Sequence, residues 1–277
     1  MSKFIITHKN PDPDAITSVW LLKRFDKDFE LAEVKFINAG ETYQNQEVDT
    51  DPDVVHVDVG GGKFDHHDTN ERICAAQKVL DFLKDKHRQL HDEEILERLV
   101  EIIIQDDHFE DCYWPEPNDD RYAFWLTQIL DGLKRAGKSD DHDLVELGLK
   151  CLDGIYTSLK LKVEAEKEIE KQGLVFETEW GEALGIESKN DEVLKVGQKQ
   201  GYILVIRKDP EGMVRLKAQP KSEVDLTKTY KEVKKSDPQA TWFLHASKKM
   251  LLNGSYKNPN MVASKLSLEE IIRILKK

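Results

Sequence analysis

The chain has 277 residues, enough to bury a sizeable core and to make two domains, and it carries 41 Lys and Arg against 53 Asp and Glu, a net charge of −12. Such acidity argues against a protein that wraps long duplex DNA, where affinity comes largely from many Lys/Arg–phosphate contacts, and no apolar run is long enough to span a bilayer. Cys74, Cys112 and Cys151 are odd in number and widely spaced, which suits a reducing cytosol with neither a disulfide framework nor a thiolate zinc motif.

Charge and histidine appear within the first ten residues, so no signal peptide is expected and the expected location is cytoplasmic. The charge is unevenly spread. Residues 1–150 hold 18 Lys and Arg against 34 Asp and Glu, whereas 173–277 hold 19 against 14. An acidic first part suits metal binding and a mildly basic second part suits a grip on a phosphate-bearing substrate, although solvated faces alone can produce such a split.

Residues 4–7 are a short apolar strand, followed by His8 and then Asn10-Pro11-Asp12-Pro13-Asp14. Apolar residues at helical spacing follow over 14–24, which places Asp12 and Asp14 in a strand-to-helix turn. There they can act as caps. They also repel one another, which a divalent cation would relieve. A strand is predicted over 34–38, a polar connection over 40–52, and a second β-branched strand over 54–59, Val54-Val55-His56-Val57-Asp58-Val59. Gly60-Gly61-Gly62 then lets the backbone turn. Asp58 therefore lies near a strand end, with Asp65-His66-His67 just beyond it, at the edge where open parallel sheets bind ligands. One carboxylate and two imidazoles there point to a metal-dependent site.

Helices are predicted over 73–84 and 93–101, and 102–105 fits either a short buried strand or the end of the second helix. Alternating strands and helices predict a parallel α/β sheet. Prolines make 107–120 an irregular loop, a helix follows over 122–135, and 143–172 is one long polar helix or two, of the kind that bridges domains. Gly173 would cap it. The expected organisation is a parallel α/β domain over 1–150, a helical linker over 151–172 and a smaller α+β domain over 173–277. In the last, a hairpin turns at Asp209-Pro210-Glu211-Gly212, helices cover 226–235 and 268–275, a strand covers 242–244, and Ser267 with Glu270 forms a capping box.

His8-x-x-Pro11-Asp12-x-Asp14-Ala15, then Asp58, then Asp65-His66-His67-x-x-Asn70, then Asp106 after Ile103-Ile104, resembles the four ordered motifs of the DHH phosphoesterase superfamily. The resemblance implies a two-metal centre. His8 and Asp12 would hold one ion, Asp14, His66 and Asp106 the other, and Asp58 would bridge both. His67 would contact the scissile phosphate, Asp65 would orient an imidazole, and Asn70 would support the loop. Asp106 is preferred by its offset from Ile103 and Ile104, with Asp107 and His108 as alternatives. A lone histidine after a strand is more often a satisfied surface group. Turn chemistry, however, does not require two adjacent histidines beside an aspartate.

Phe243-Leu244-His245-Ala246-Ser247 with Asn253-Gly254-Ser255 and the closing helix resembles the end of the melanocyte-proliferating-gene exonuclease family. That resemblance implies substrate-binding roles for His245, Ser247 and Gly254. The first motif departs from that family and keeps the Pro-Asp-x-Asp-Ala of the wider superfamily.

Carboxylate and imidazole donors without thiolates favour manganese. Two manganese ions per chain are expected, with magnesium or cobalt as alternatives. The expected activity is hydrolysis of phosphodiester bonds in short single-stranded RNA or oligonucleotides. The alternatives are a small-molecule phosphatase on pyrophosphate, polyphosphate or a cyclic dinucleotide, and a non-catalytic nucleotide-binding protein. No membrane partner is expected, and a homodimer is compatible with the sequence.

Overall fold

The computed structural model describes residues 3–91, 93–254, 258 and 260–276. It divides into two compact units, Met1–Leu159 and Lys160–Lys277. Both bear out the expected layering, a parallel α/β sheet first and an α+β unit second. Among the described residues no helix is long and apolar enough to cross a membrane.

In the first unit β1 (Phe4–His8) is the central strand of a three-stranded sheet, with β2 (Glu33–Ile37) on one side and β3 (Val54–His56) on the other, both parallel to it. The β-branched and aromatic residues of these short runs explain their choice of strand. Helix α1 (Pro13–Phe25) starts where Asp12 accepts a hydrogen bond from the Ala15 amide, with proline in its first turn. It is buried almost all round, with Ile16, Val19, Trp20, Leu21 and Leu22 inaccessible or nearly so. It packs against α2 (Ala75–Lys86) and α3 (Glu94–Asp107). Each such Leu, Ile or Val contributes roughly 1.5–3 kcal/mol by burial. Helix α4 (Leu126–Arg135) follows, then α5 (Asp141–Gln172). Gly148 of α5 lies so close to α1 that a β-carbon there would stand 2.5 Å from the Ile16 side chain.

Two open readings are decided and one expectation is corrected. Residues 102–105 are not a strand but the last turns of α3. Ile102, Ile103 and Ile104 are β-branched, but Leu96, Val100, Ile103 and Ile104 recur at helical spacing on a buried face, and that period prevails. The strand expected over 54–59 ends at His56, because Asp58 adopts φ 57° and leaves the extended region. Residues 143–172 are one helix, starting at Asp141.

In the second unit, a six-stranded sheet runs in the order β4 (Leu174–Thr178), β5 (Gly181–Glu187), β6 (Leu204–Lys208), β7 (Val214–Ala218), β9 (Met250–Asn253), β8 (Trp242–Leu244). Only β5 and β6 pair in parallel, with α6 (Glu192–Lys199) between them in sequence. The β6–β7 hairpin turns where expected, at Asp209–Gly212. Helix α7 (Thr227–Ser236) precedes β8, and α8 (Leu268–Leu275) carries the full Ser267/Glu270 capping box. The pair β4–β5 was not anticipated. Gly173 is not a left-handed cap. The chain runs directly from helix to strand there, and a β-carbon would lie 2.6 Å from the Ile169 carbonyl.

Candidate metal centre

Because β1 and β3 are parallel, their C-terminal ends share one edge of the sheet. His8 is the last residue of β1. Its Nδ1 donates to the Lys9 carbonyl at 2.9 Å, which turns Nε2 towards Asp58 Oδ2 at 3.1 Å and Asp12 Oδ2 at 3.7 Å. A neutral ring in this tautomer would aim a lone pair at carboxylate oxygens, so a proton or a cation must sit between them. In the metal-free protein the proton does so. Burial pulls the His8 pKa down, but Asp58 and Asp12 outweigh it and carry it to about 9. Asp12 also caps α1, and burial followed by the Asp58 charge raises its own pKa.

Asp14 is tied to a helix 61 residues away. Its two oxygens accept from the amides of Ala75 and Ala76 at 2.7 and 2.8 Å. Cys74 supplies no side-chain cap to α2, so this carboxylate meets the free amides and the positive dipole end. Asp14 is 2% exposed, and burial together with Asp58 pushes its pKa to about 8. Burial also raises the Cys74 thiol, which keeps it protonated and out of metal chemistry.

Asp58 holds the centre. It is buried, its φ of 57° is one that aspartate tolerates better than most residues, and its amide donates to the Phe64 carbonyl across the glycine turn. Its two oxygens face two different imidazoles. Oδ2 faces His8, and Oδ1 faces His66 Nε2 at 3.3 Å. Neither Asp58 Oδ1 nor His66 Nε2 has a hydrogen-bond partner, although both are buried. Two facing buried polar atoms left without a hydrogen bond in this way are what a cation bound by both would satisfy. Burial would raise Asp58, but the His66 and His8 rings hold it below the usual carboxylate range. Asp58 raises the His66 pKa to about 9 against burial, with help from Asp107 and Asp14.

His66 Nε2 also lies 3.5 Å from Asp14 Oδ2 and 3.7 Å from Asp107 Oδ2. Two groups that could hold a metal thus meet at Asp58: His8, Asp12 and Asp58, and Asp14, His66 and Asp107, with ligand atoms within 4.8 Å of one another in each. The Asp106 assignment is corrected. Asp106 Oδ2 accepts from the Thr127 hydroxyl at 2.7 Å, outside both groups. On a helix, residue 107 falls on the stripe of Val100, Ile103 and Ile104, and residue 106 is turned away by about 100°. That spacing was readable in the sequence, and strand alternation concealed it. Burial raises the pKa of both carboxylates. His108 is not a ligand here. It bonds the Ile73 carbonyl through Nε2 at 3.0 Å.

His67 Nδ1 lies 3.9 Å from Asp58 Oδ1, which admits Asp58, His66 and His67 as a third possible group. The nearer partner decides against it. Nδ1 donates to Asp65 Oδ1 at 2.7 Å, while the ring is 66% exposed. Asp65 is in turn fixed by the Gly61 amide at 2.7 Å. Asp65 Oδ1 thus holds both the ring and the amide of His67. Asn70 is exposed and, among the described residues, makes no side-chain hydrogen bond, so it does not support the loop. Arg72 does, reaching Glu101 on α3 at 2.7 Å and Glu110 at 2.5 Å.

The expected substrate residues of the second unit do not form one site. His245 and Ser247 are exposed at the tip of the β8–β9 hairpin, bonded to each other at 2.8 Å. Gly254 lies at the other end of the hairpin, about 10 Å or more away by strand rise. It is buried under Met261, whose sulfur would stand 2.5 Å from an added β-carbon. Asn253 is a buried staple between Thr241, Val262 and Ser264. Ser255 lies outside the described residues.

A family model described as ChrB, C-terminal domain, matches residues 5–159, more than half of the chain and all of the cluster above. No curated protein matches. Among solved structures, an uncharacterized protein from Helicobacter pylori aligns at 12% identity over 100% of this chain and 98% of its own, with a TM-score of 0.35. The DHH domain of a protein described as a member of a family of ribosomal proteins aligns at 13% over 99% and 85%, with a TM-score of 0.33. RecJ from Thermus thermophilus, in complex with Mg2+, aligns at 12% over 99% and 54%, with a TM-score of 0.31. Likenesses this low carry no argument, and the chemistry is read from this chain's own residues.

Proposed function

The chain belongs to the family described as ChrB, C-terminal domain, and from the geometry of its His–Asp cluster we propose that it is a metal-dependent phosphoesterase. Its preferred ion is manganese and its substrate class is short oligonucleotides. The observation that carries this reading is Asp58, whose two oxygens address two separate imidazoles, each backed by further carboxylates. His8 and Asp12 would hold one ion, Asp14, His66 and Asp107 a second, and Asp58 would serve both. The four motifs of the DHH superfamily, with Asp107 as the fourth, agree with it.

Divalent ions at such a cluster supply Lewis-acid polarisation of a phosphoryl oxygen and a water that deprotonates near neutral pH. The protein's own contribution is position and charge. Asp14, tied to two backbone amides, and Asp58, held in its turn, fix the carboxylates without mobile side-chain torsions. Asp65 fixes the His67 ring with Nδ1–H inward, so that Nε2 points outwards. From there His67, when protonated, donates to a phosphoryl oxygen or to the leaving oxygen.

The test is a panel of short RNA, short DNA, pyrophosphate and cyclic dinucleotides with manganese, run on the wild type and on Asp58→Asn. Asparagine keeps the shape and the left-handed backbone while removing the charge. At least ~1,000-fold loss in kcat, with an unchanged melting temperature for the metal-free protein to within a few degrees, is expected. Retention of most activity would refute the shared-carboxylate centre. Pyrophosphate as the best substrate would leave the centre intact and refute the oligonucleotide assignment.

A further inference from the structure

A cavity of about 280 Å3 adjoins α3 in the first unit, lined by Asp106 and not by the cluster's Asp107. Its walls are Trp114, Tyr122 and Trp125, and Asp106, Asp111, Asp119 and Asp120 line it with carboxylates. The rings form a built surface. Trp114 meets Trp125 edge-on at 4.9 Å between centroids and tilts against Tyr122 at 5.5 Å. Each is pinned. The Trp114 indole donates to Gln105 at 3.0 Å, the Tyr122 hydroxyl donates to the Pro115 carbonyl at 2.8 Å, and Asp106 is held by Thr127. No Lys or Arg lines the cavity. The nearby Arg121 is engaged by Glu116 and Asp119.

These features select a ligand. A phosphate is repelled by four carboxylates, and Arg121 beside them is already taken up by Asp119 and Glu116. Flat aromatic walls favour a flat aromatic ring, since every base has a face that stacks. Ionised carboxylates only accept hydrogen bonds, so the ring must present donors. The volume falls just under the roughly 300–1,000 Å3 of sites for drug-sized ligands and so fits one ring system, not a dinucleotide. Asp106 and Asp107 are consecutive residues on the last turn of α3. Asp106 thus lines the cavity while its neighbour Asp107 stands 3.7 Å from His66 Nε2 in the cluster.

We propose that the cavity is a base-binding subsite for a nucleobase with an exocyclic amine, that is adenine, guanine or cytosine, and that it discriminates against uracil and thymine. The amine of the favoured bases donates to Asp111 or Asp120 while the ring stacks on Trp114. Uracil offers a single N–H between two carbonyl oxygens, which the same carboxylates repel. The inference deepens the phosphoesterase reading and rests on it for its purpose, since it names the part of the substrate that the metal cluster does not touch.

The experiment uses nucleosides, which have no phosphate and need no metal. The full chain is titrated with adenosine, cytidine and uridine while the indole N–H resonances of Trp114 and Trp125 are followed, assigned by Trp114→Phe and Trp125→Phe. Adenosine and cytidine should bind at least ~10-fold more tightly than uridine and shift those two resonances. Loss of the stacking partner in Trp114→Ala should weaken adenosine roughly 5- to 100-fold. Should that variant not fold, Asp111→Asn with Asp120→Asn, both exposed positions, should bring the adenosine-to-uridine ratio close to one. Equal binding of uridine, absence of binding by all three at millimolar concentration, or an unchanged ratio in the double variant would overturn the proposal. Hydrolysis of bis-p-nitrophenyl phosphate by the wild type with manganese is measured alongside. No hydrolysis with the nucleoside preference intact would fail the phosphoesterase reading alone, and hydrolysis without the preference would fail only the subsite.

Discussion

Asp107 and Asp106 make a paired test of the metal centre, because they are neighbours in sequence with side chains in different surroundings. Replacing Asp107 by Asn removes a charge 3.7 Å from His66 Nε2 and leaves the shape of the side chain. At an effective dielectric of 20, a unit pair at this distance interacts by about 4 kcal/mol before screening. Asp107 is partly exposed, so less than that reaches solution. Removing a residue that merely orients a ligand typically costs 10–100-fold in metal affinity. A carboxylate that itself holds the ion should cost at least ~100-fold, about 3 kcal/mol. The Asp106→Asn variant, whose lost charge faces Thr127, should cost less than ~10-fold. Manganese titrations read by calorimetry or by the EPR signal of the free ion should show one weakened step of two in Asp107→Asn and a wild-type pattern in Asp106→Asn. Equal losses in the two variants, or the larger loss in Asp106→Asn, would refute both the helical placement of the fourth motif and the two-group centre built on it.

The pH response follows from His8 and His66, raised from 6.5 to about 9, and Asp14, raised from 3.8 to about 8. For each raised group the folded state holds its proton more tightly than the unfolded chain, so its contribution is complete below the unfolded value and lost as pH passes the folded one. The metal-free protein should therefore melt at progressively lower temperature from pH 6.5 to 9, and manganese, which competes with these protons, should restore more stability at the higher pH. Melting curves in chelator and in manganese under argon check this, and a melting temperature that rises with pH in chelator would contradict it. The two histidines should separate as well. His66→Ala should lose metal and turnover together, whereas His67→Ala should keep its metal and lose turnover, because its outward nitrogen serves only the bound substrate. Equal metal loss in both variants would make His67 a ligand after all.

Much of the centre was legible in the order of residues alone. The donors His8, Asp12, Asp14, Asp58, His66 and His67 lie next to apolar runs that can only be short strands or a helix start, and alternation with helices puts parallel strand ends on one edge. Residue type and local period were sufficient for that, because both act over a few residues. What lay beyond them came from packing. The choice of Asp107 over Asp106 depended on whether three β-branched isoleucines extend a helix or begin a strand, and burial of their helical stripe against the core decided it. The dual role of Asp14 depended on the arrival of the α2 amides from residues 75 and 76. The placement of the two Asp58 oxygens against two different imidazoles depended on a left-handed backbone that no residue pattern announced.

The motif around His245 read as one site because its residues are close in sequence. The hairpin separates Gly254 from His245 by the length of a strand and buries it under Met261. Similarly, 107–120 read only as an irregular loop and 122–135 as a helix, and the cavity exists because α3 and the turns after it fold the rings of Trp114, Tyr122 and Trp125 against one another. The sequence by itself thus determined which candidate donor residues the chain carries and in what order. The tertiary structure decided which atoms of those donors meet, since contacts between residues tens of positions apart follow from how buried faces pack and have no signature in local spacing.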